Sequence, residues 1–120
     1  MHYTYLIFLL LVELPIGQYD FGALIELKKG IKKDPYEVLD SWDSKSSAFD
    51  GCPKNWFGII CSKGCVTSIT LNDLGIVGDF HFTTINGLKM LQNLSISNNL
   101  FTGLGTWKLQ LRFLNAVFEY

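Results

Sequence analysis

The chain has 120 residues, of which 48% are hydrophobic, and a formal net charge of −1. That length suffices for one small domain. The near-neutral charge provides no field that would recruit nucleic acid and says nothing further about partners.

The opening stretch, MHYTYLIFLLLVELPIGQYD, is apolar from Leu6 to Val12 and then meets Glu13, Pro15 and Gly17. A short greasy core, a breaker and a small residue form the layout of a secretory signal. The run is too short to span a membrane, and a buried helix would be ended early by Glu13 and Pro15. Residues 1–17 are therefore expected to be a signal peptide cut after Gly17, leaving Gln18 first. Left uncleaved, the segment would act as a membrane anchor.

Over residues 20–34 the apolar side chains Phe21, Leu24, Ile25, Leu27 and Ile31 recur close to helical spacing. Asp20 is placed to cap the first turn and Pro35 to end the helix. Lys28, Lys29, Lys32 and Lys33 fall in its last half, where they favour the negative end of the helix dipole; they read as a solvated face rather than a phosphate or membrane patch. Val38, Leu39 and Trp42 then make a short second helical turn packing back onto the first, and DSKSSAFDG, residues 43–51, reads as an exposed loop.

In GCPKNWFGIIC, residues 51–61, two cysteines stand nine apart. If the chain is exported, a close pair reads as a disulfide before it reads as a metal site. A zinc site could be assembled only from Cys52, Cys61, Cys65 and His81, with a spacing that matches no familiar finger or ribbon. No metal or cofactor is expected. Cys65 is then left over, and a stray thiol, dimerisation through it, and mispairing with Cys61 are all open.

Beyond Cys65 the chain repeats itself. At an offset of 25 residues, Val66, Ile69, Leu71, Ile76 and Gly78 fall on Leu91, Leu94, Ile96, Phe101 and Gly103. The second copy, LKMLQNLSISNNLFTG, follows L-x-x-L-x-x-L-x-I-x-x-N-x-F-x-G, a leucine-rich-repeat pattern. Leu94 and Ile96 alternate inward along a short strand while Asn93, Ser95 and Ser97 face out. Asn99 suits the sharp turn that follows, because its amide can bond to backbone groups of its own and the neighbouring coil. Phe101 re-enters the core and Gly103 permits the next bend. The first copy carries Leu74 where the asparagine is expected, so its turn is predicted to be satisfied by Asn72 or Asp73.

From about Asp20 to Gly103 the chain resembles the amino-terminal part of plant leucine-rich-repeat receptor-like kinases. The likeness rests on FGALIELKKGIKKDP, VLDSW, the cysteine segment and the two repeats, in that order. It includes the pattern C-x-x-x-W-x-G-(V/I)-x-C at Cys52, Trp56, Gly58, Ile59 and Cys61. The resemblance implies that Cys52 and Cys61 are bonded, stapling a cap of residues 18–65 over a first repeat whose apolar end would otherwise face water. Trp42, Trp56 and Phe57 are expected to cover it.

The implied fold is an α/β leucine-rich-repeat solenoid, with a short parallel sheet, an irregular convex side and a helical cap. It would be truncated to two repeats over residues 66–103, followed by a divergent tail, residues 104–120. The family would continue with an Ile-Pro pair, more repeats, a membrane span and a kinase domain. The tail LGTWKLQLRFLNAVFEY reads instead as the product of a truncated gene model, a retained intron or a frameshift. Otherwise it adds an alternating strand at Trp107, Leu109, Leu111 and Phe113.

By the same resemblance the chain is a non-catalytic extracellular module, secreted, or at the plasma membrane in the full-length relatives. It would bind a protein or peptide ligand, or a related receptor ectodomain, and would meet a membrane only through the missing span or an uncleaved signal. The binding positions carried over are Thr67, Ser68, Thr70, Asn72 and Asp73 in the first coil and Gln92, Asn93, Ser95, Ser97 and Asn98 in the second. Asn93-Leu94-Ser95 is an N-glycosylation sequon. The rival readings are a secreted leucine-rich-repeat inhibitor or decoy and, remotely, an enzyme using Cys65 with His81, for which no orienting residue or nucleophile motif is visible. Two repeats and a cap are expected to be marginally stable, with an exposed apolar end layer.

Overall fold

The structure, a computed structural model, describes residues 20–43, 52–103 and 115–117. The expected signal peptide, most of the 43–51 loop and the strand expected at Trp107 to Phe113 lie outside the described residues.

Helix α1 runs Asp20–Lys29 and buries Leu24 and Leu27, with Phe21, Ala23 and Ile25 packed partly against the core. It ends well before Pro35, which corrects the predicted helix over 20–34. Gly30 is a poor helix former, and beyond it Ile31–Lys33 form strand β1, antiparallel to Val77–Asp79, strand β4. The backbones come unusually close there: a Cβ on Gly78 would sit 2.5 Å from the Gly30 carbonyl oxygen and 2.7 Å from Ile31 Cα. The Asp79 amide donates to that carbonyl at 2.9 Å. Strand pairing that only glycines permit therefore outcompetes helix continuation, and Lys32 and Lys33 leave the helix end. Lys32 instead approaches the Asp79 carboxylate at 3.9 Å, while Lys28, still in the last helical turn, donates to the Trp42 carbonyl at 3.0 Å.

The second helical turn is a 3-10 helix, Val38–Ser41. Asp34 starts it by accepting from the amides of Val38 and Leu39, at 3.2 and 2.8 Å. Ser41 Oγ accepts from the Phe57 amide at 2.9 Å, and the Trp42 indole donates to the Phe57 carbonyl at 3.0 Å. Trp42 and Trp56 are buried and stacked, with centroids 5.5 Å apart, and Phe21 leans on Trp56 at 5.1 Å. Phe57 departs from expectation: its ring is 45% exposed, because the segment is held by its backbone groups rather than by the ring.

Strands β2 (Ile59–Ser62) and β3 (Cys65–Thr70) form an antiparallel hairpin, with an irregularity between Ile60 and Cys61. Cys52 and Cys61 form a disulfide, Cα atoms 6.3 Å apart, which ties the segment before the hairpin to β2. Cys65 is buried at the start of β3 and is not part of that bond. Replacing Cys52 and Cys61 with serine is expected to lower unfolding free energy by roughly 2 to 3 kcal/mol on the loop-entropy estimate. Urea denaturation of the oxidised wild type and the double variant checks this; superimposable curves would show that the cap stands without its staple.

On the far side of the hairpin, β3 pairs in parallel with β5 (Asn93–Ser95), in the register Ser68↔Asn93, Ile69↔Leu94 and Thr70↔Ser95, the 25-residue stride of the sequence. Strand β5 pairs in parallel with β7 (Asn115–Val117), Leu94 opposite Ala116. The four-stranded order is thus β2-β3-β5-β7. A third parallel strand, Asn115–Val117, lies in the segment expected to be a divergent tail. The opposite side is more regular than expected too. Strands β4 and β6 (Leu100–Thr102) pair in parallel, Gly78 opposite Phe101, and with β1 they make a three-stranded sheet, β1-β4-β6. A four-residue helix, α2 (Phe82–Ile85), bridges β4 and β5.

Between the sheets lies one core. Leu24, Leu27, Trp42 and Trp56 of the cap share it with Val66, Ile69, Leu71 and Ile76 of the first coil and Leu94, Ile96 and Phe101 of the second. The cap is therefore continuous with the apolar layer it covers, as end-sealing requires.

Asp20 does more than start a helix. It is buried, and its Oδ2 accepts from the Val66 amide at 2.8 Å, joining α1 to β3 across 46 residues. Burial raises its pKa, partly offset by that hydrogen bond. A carboxyl whose folded pKa is raised contributes stability at pH below its unfolded value, and that contribution is lost as pH rises through the folded pKa. Asp20→Asn keeps an acceptor without a buried charge, so its stability relative to wild type should improve as pH rises through that window. Asp20→Ala leaves the Val66 amide bare and should cost about 1 to 3 kcal/mol. Thermal melts from acid to neutral pH check both; a gap between Asp20→Asn and wild type that does not change with pH would refute the assignment.

Candidate recognition surface

The strand face is built by alternation. Ile69 and Leu94 point into the core, so their neighbours Ser68 and Thr70, Asn93 and Ser95 fall on the opposite face in two cross-strand rows. Thr70 and Asn93 are exposed and Ser95 is half-buried. Ser68 departs from its predicted exposure: it is 9% exposed, a small side chain between Ile60 of β2 and Asn93 of β5 in the same row. The position that dominates this end of the face is Ile60, 60% exposed, which was not among the expected binding positions. Its signal was the alternation in Ile59-Ile60-Cys61, where the two residues flanking Ile60 pack against the core.

Thr67 precedes the parallel triad and donates its hydroxyl to the Ile60 carbonyl at 3.2 Å, and its own carbonyl accepts from the backbone amide of the exposed Gln92 at 2.9 Å. Past the strands the two turns are cross-wired. Asn72 Oδ1 accepts from the Ser97 amide at 2.8 Å and from Ser95 Oγ at 2.9 Å, while Asn98 donates to Asp73 Oδ1 at 2.8 Å. Asn99, 4% exposed, accepts from the amides of Leu74 and Ile76 at 3.2 and 3.1 Å and donates to the carbonyl oxygens of Leu71, Ile96 and Ser97. The first coil's missing asparagine is thus supplied by the second coil, while the side chains of Asn72 and Asp73, the two residues predicted to stand in, bond to the second coil instead.

The ten candidate positions therefore divide. Ser68 is buried and Thr67 half-buried beside Ile60; Asn72, Ser95 and Ser97 are tied up in the inter-coil ladder; Thr70, Asp73, Gln92, Asn93 and Asn98 present exposed groups. Asn93, first residue of the sequon, is exposed on β5. Cys65 and His81 are not brought into one row: the first opens β3 in one sheet, and the second, exposed, follows β4 in the other. Among the described residues no group of three or more His, Cys, Asp or Glu side chains could hold a metal ion.

A disulfide-tied helical cap here shares a core with in-register parallel strands, and the chain belongs with the amino-terminal ectodomains of plant leucine-rich-repeat receptor-like kinases. Residues 18–62 match the family Leucine rich repeat N-terminal domain. Among its relatives, the chain is 45% identical over 101 residues to the LRR receptor-like serine/threonine-protein kinase GHR1 of Arabidopsis thaliana, covering 79% of this chain and 10% of that protein. It is 30% identical over 90 residues to Pollen receptor-like kinase 4 of the same plant, covering 75% and 13%. The solved Pollen Receptor Kinase 3 superposes with a TM-score of 0.64 at 26% identity, over 82% of this chain and 45% of that one. The PEPR1-AtPEP1 structure superposes at 0.57 and 31%, over 68% and 11%. The chain thus spans about a tenth of the length of these curated relatives.

Proposed function

We infer that the chain is a non-catalytic extracellular recognition module, a leucine-rich-repeat solenoid whose strand face takes part in binding a protein, a peptide or a related receptor ectodomain. Residues 1–17 are its signal peptide, 18–65 the cap, 66–103 the first two coils, and 104–120 carry the third strand. The observation that carries this reading is the in-register pairing of β3 with β5, which sets Thr70 and Asn93 outward in adjacent rows over buried Ile69 and Leu94. The PEPR1-AtPEP1 likeness supports a partner of protein or peptide chemistry. The parallel-paired parts of β3, β5 and β7, three residues each, span roughly 10 Å on a side, well short of the roughly 800 Å² per partner of a standard interface. A partner therefore reaches beyond the strands to the turns and to neighbouring surface. A glycan on Asn93 would narrow the face further.

Secreted from plant cells, the chain should begin at Gln18, and Thr70→Arg should abolish binding of an interacting receptor ectodomain by placing a long charge in the middle of the face. Because Thr70 is exposed, the variant's stability should stay within about 0.5 kcal/mol of wild type. Undiminished binding by Thr70→Arg in biolayer interferometry would remove the strand face from the reading.

A further inference from the structure

We propose that the depression between the cap and the turns below the strand face is a subsite for one cationic side chain, an arginine or lysine, of the partner. The proposal deepens the recognition reading and rests on it, but the subsite lies off the strand face and none of the residues of β3 and β5 line it.

The depression is lined by Pro35 and Tyr36 from the cap, Asp73, Leu74 and Gly75 from the first turn, and Asn98, Asn99 and Leu100 from the second, enclosing about 430 Å³. Its walls are mixed, with Pro35, Tyr36, Leu74 and Leu100 beside the polar Asp73, Asn98 and Asn99, and they open to solvent. Tyr36 is 70% and Leu100 64% exposed, the two highest exposures among the large hydrophobic residues described. Exposed apolar side chains from two separate segments facing one hollow are an unusual arrangement for a surface with no use. Among the described lining residues the Asp73 carboxylate provides the only charge. It is held in place: Asp73 and Asn98 both adopt left-handed backbone, φ 58° and 56°, and the Asn98 amide donates to Asp73 Oδ1. Asn99, also in the lining, is fully engaged with backbone groups and fixes the turns.

A largely apolar trough with a single fixed carboxylate at its rim complements a long aliphatic stem ending in a cation. The stem would lie over Leu74 and Leu100, and the head would meet Asp73 and the face of Tyr36. A neutral apolar side chain would leave the carboxylate without a counter-charge, and an acidic one would be repelled. Because Asp73 also stands at the end of the strand face, a peptide lying across β3 and β5 can place such a side chain here without leaving the surface.

The test uses the whole chain, isotope-labelled for amide NMR, titrated with N-acetyl-arginine methylamide and with its uncharged isostere N-acetyl-citrulline methylamide. The arginine probe is expected to shift the amides of Asp73, Gly75 and Leu100 with a dissociation constant on the order of 1 to 10 mM, and citrulline should bind several-fold more weakly. Asp73→Asn retains an acceptor for Asn98 while removing the charge, and should weaken arginine about fivefold. Tyr36→Ala should weaken it similarly and Tyr36→Phe should not. Both residues are exposed, so the variants should keep the wild-type spectrum elsewhere. Equal binding of citrulline, shifts confined to other residues, or an affinity indifferent to Asp73→Asn would each overturn the proposal. The two readings fail separately: a subsite that binds arginine while Thr70→Arg leaves partner binding intact removes the strand face alone, and a partner lost with Thr70→Arg but kept with Asp73→Asn removes the subsite alone.

Discussion

Gly58→Ala is expected to cost on the order of 3 to 5 kcal/mol, enough to leave a domain of this size largely unfolded. Gly58 has φ 77°, and a Cβ built on it would lie 2.2 Å from the Thr70 carbonyl oxygen and 3.2 Å from the Leu71 side chain. Two effects add. The left-handed backbone costs an alanine roughly 1 kcal/mol or more. The clash is with main chain, which cannot swing aside, so β2 must move off β3, straining the bond from the Thr70 amide to the Gly58 carbonyl, now 2.8 Å. That displacement would also disturb Trp56, two residues earlier, whose ring stacks on Trp42 in the core. Gly22→Ala is the control: Gly22 lies in α1, and apart from its chain neighbours and the helix's own backbone no heavy atom of the described residues lies within 4 Å of where the new methyl would sit, so alanine should be neutral or stabilising by up to about 1 kcal/mol. Urea titration of the two variants separates them. A Gly58→Ala protein with wild-type midpoint would mean that β2 and β3 can part at Gly58 without loss.

The parts of this fold that were legible in the sequence are those set by short-range repetition. Ile69 and Leu94 announce their pairing because every coil must bury the same positions, and the Cys52–Cys61 staple comes with a Trp and a Gly at fixed offsets. Asn99 was legible as a turn residue because few side chains both donate and accept in so small a space. What was missed depends on distant partners. Strand β1 exists because Gly30 and Gly78 let two backbones approach, and nothing local to Ile31–Lys33 distinguishes it from a helix end. Strand β7 pairs at an offset of 22 rather than 25, Asn93 with Asn115, so a search at the first stride passes over it. At the shorter offset Leu91, Leu94 and Ile96 fall on Phe113, Ala116 and Phe118, an apolar match that could have been found. On the candidate face the residue types were legible but their exposure was not: Ser68 is shaded and Ile60 presented because of their register with each other, which only the hairpin determines.

Asn99→Ala should be about as damaging as the glycine substitution, through a different cause. The amide accepts from Leu74 and Ile76 and donates to three carbonyls, and the bonds to Ile76, Leu71 and Ile96 are buried. Leaving each such group bare costs about 1 to 3 kcal/mol; water can reach the half-buried Leu74 amide, so a total on the order of 3 to 5 kcal/mol is expected. Because three of the five partners belong to the first coil, the loss should weaken both turns at once, and amide exchange should accelerate at Leu74 and Ile76 as well as around Asn99. Asn99→Asp separates donor from acceptor. It can still accept from Leu74 and Ile76, but as a carboxylate it faces an oxygen toward the carbonyls of Leu71, Ile96 and Ser97. Burial and the three facing carbonyls disfavour its charged form, opposed by the two amides that still donate to it; with the site 4% exposed and carbonyls outnumbering amides, the folded pKa should lie above the unfolded one. The stability it retains is then present below the unfolded pKa and lost as pH rises through the folded value. Asn99→Asp should accordingly be more stable than Asn99→Ala in mild acid, where a protonated carboxyl can donate to one carbonyl, and lose that advantage toward neutrality. Taking the difference between the two variants cancels the titration of every other group. A difference that stays flat with pH, or an Asn99→Ala variant within about 1 kcal/mol of wild type, would show that the two coils hold their turns without this amide.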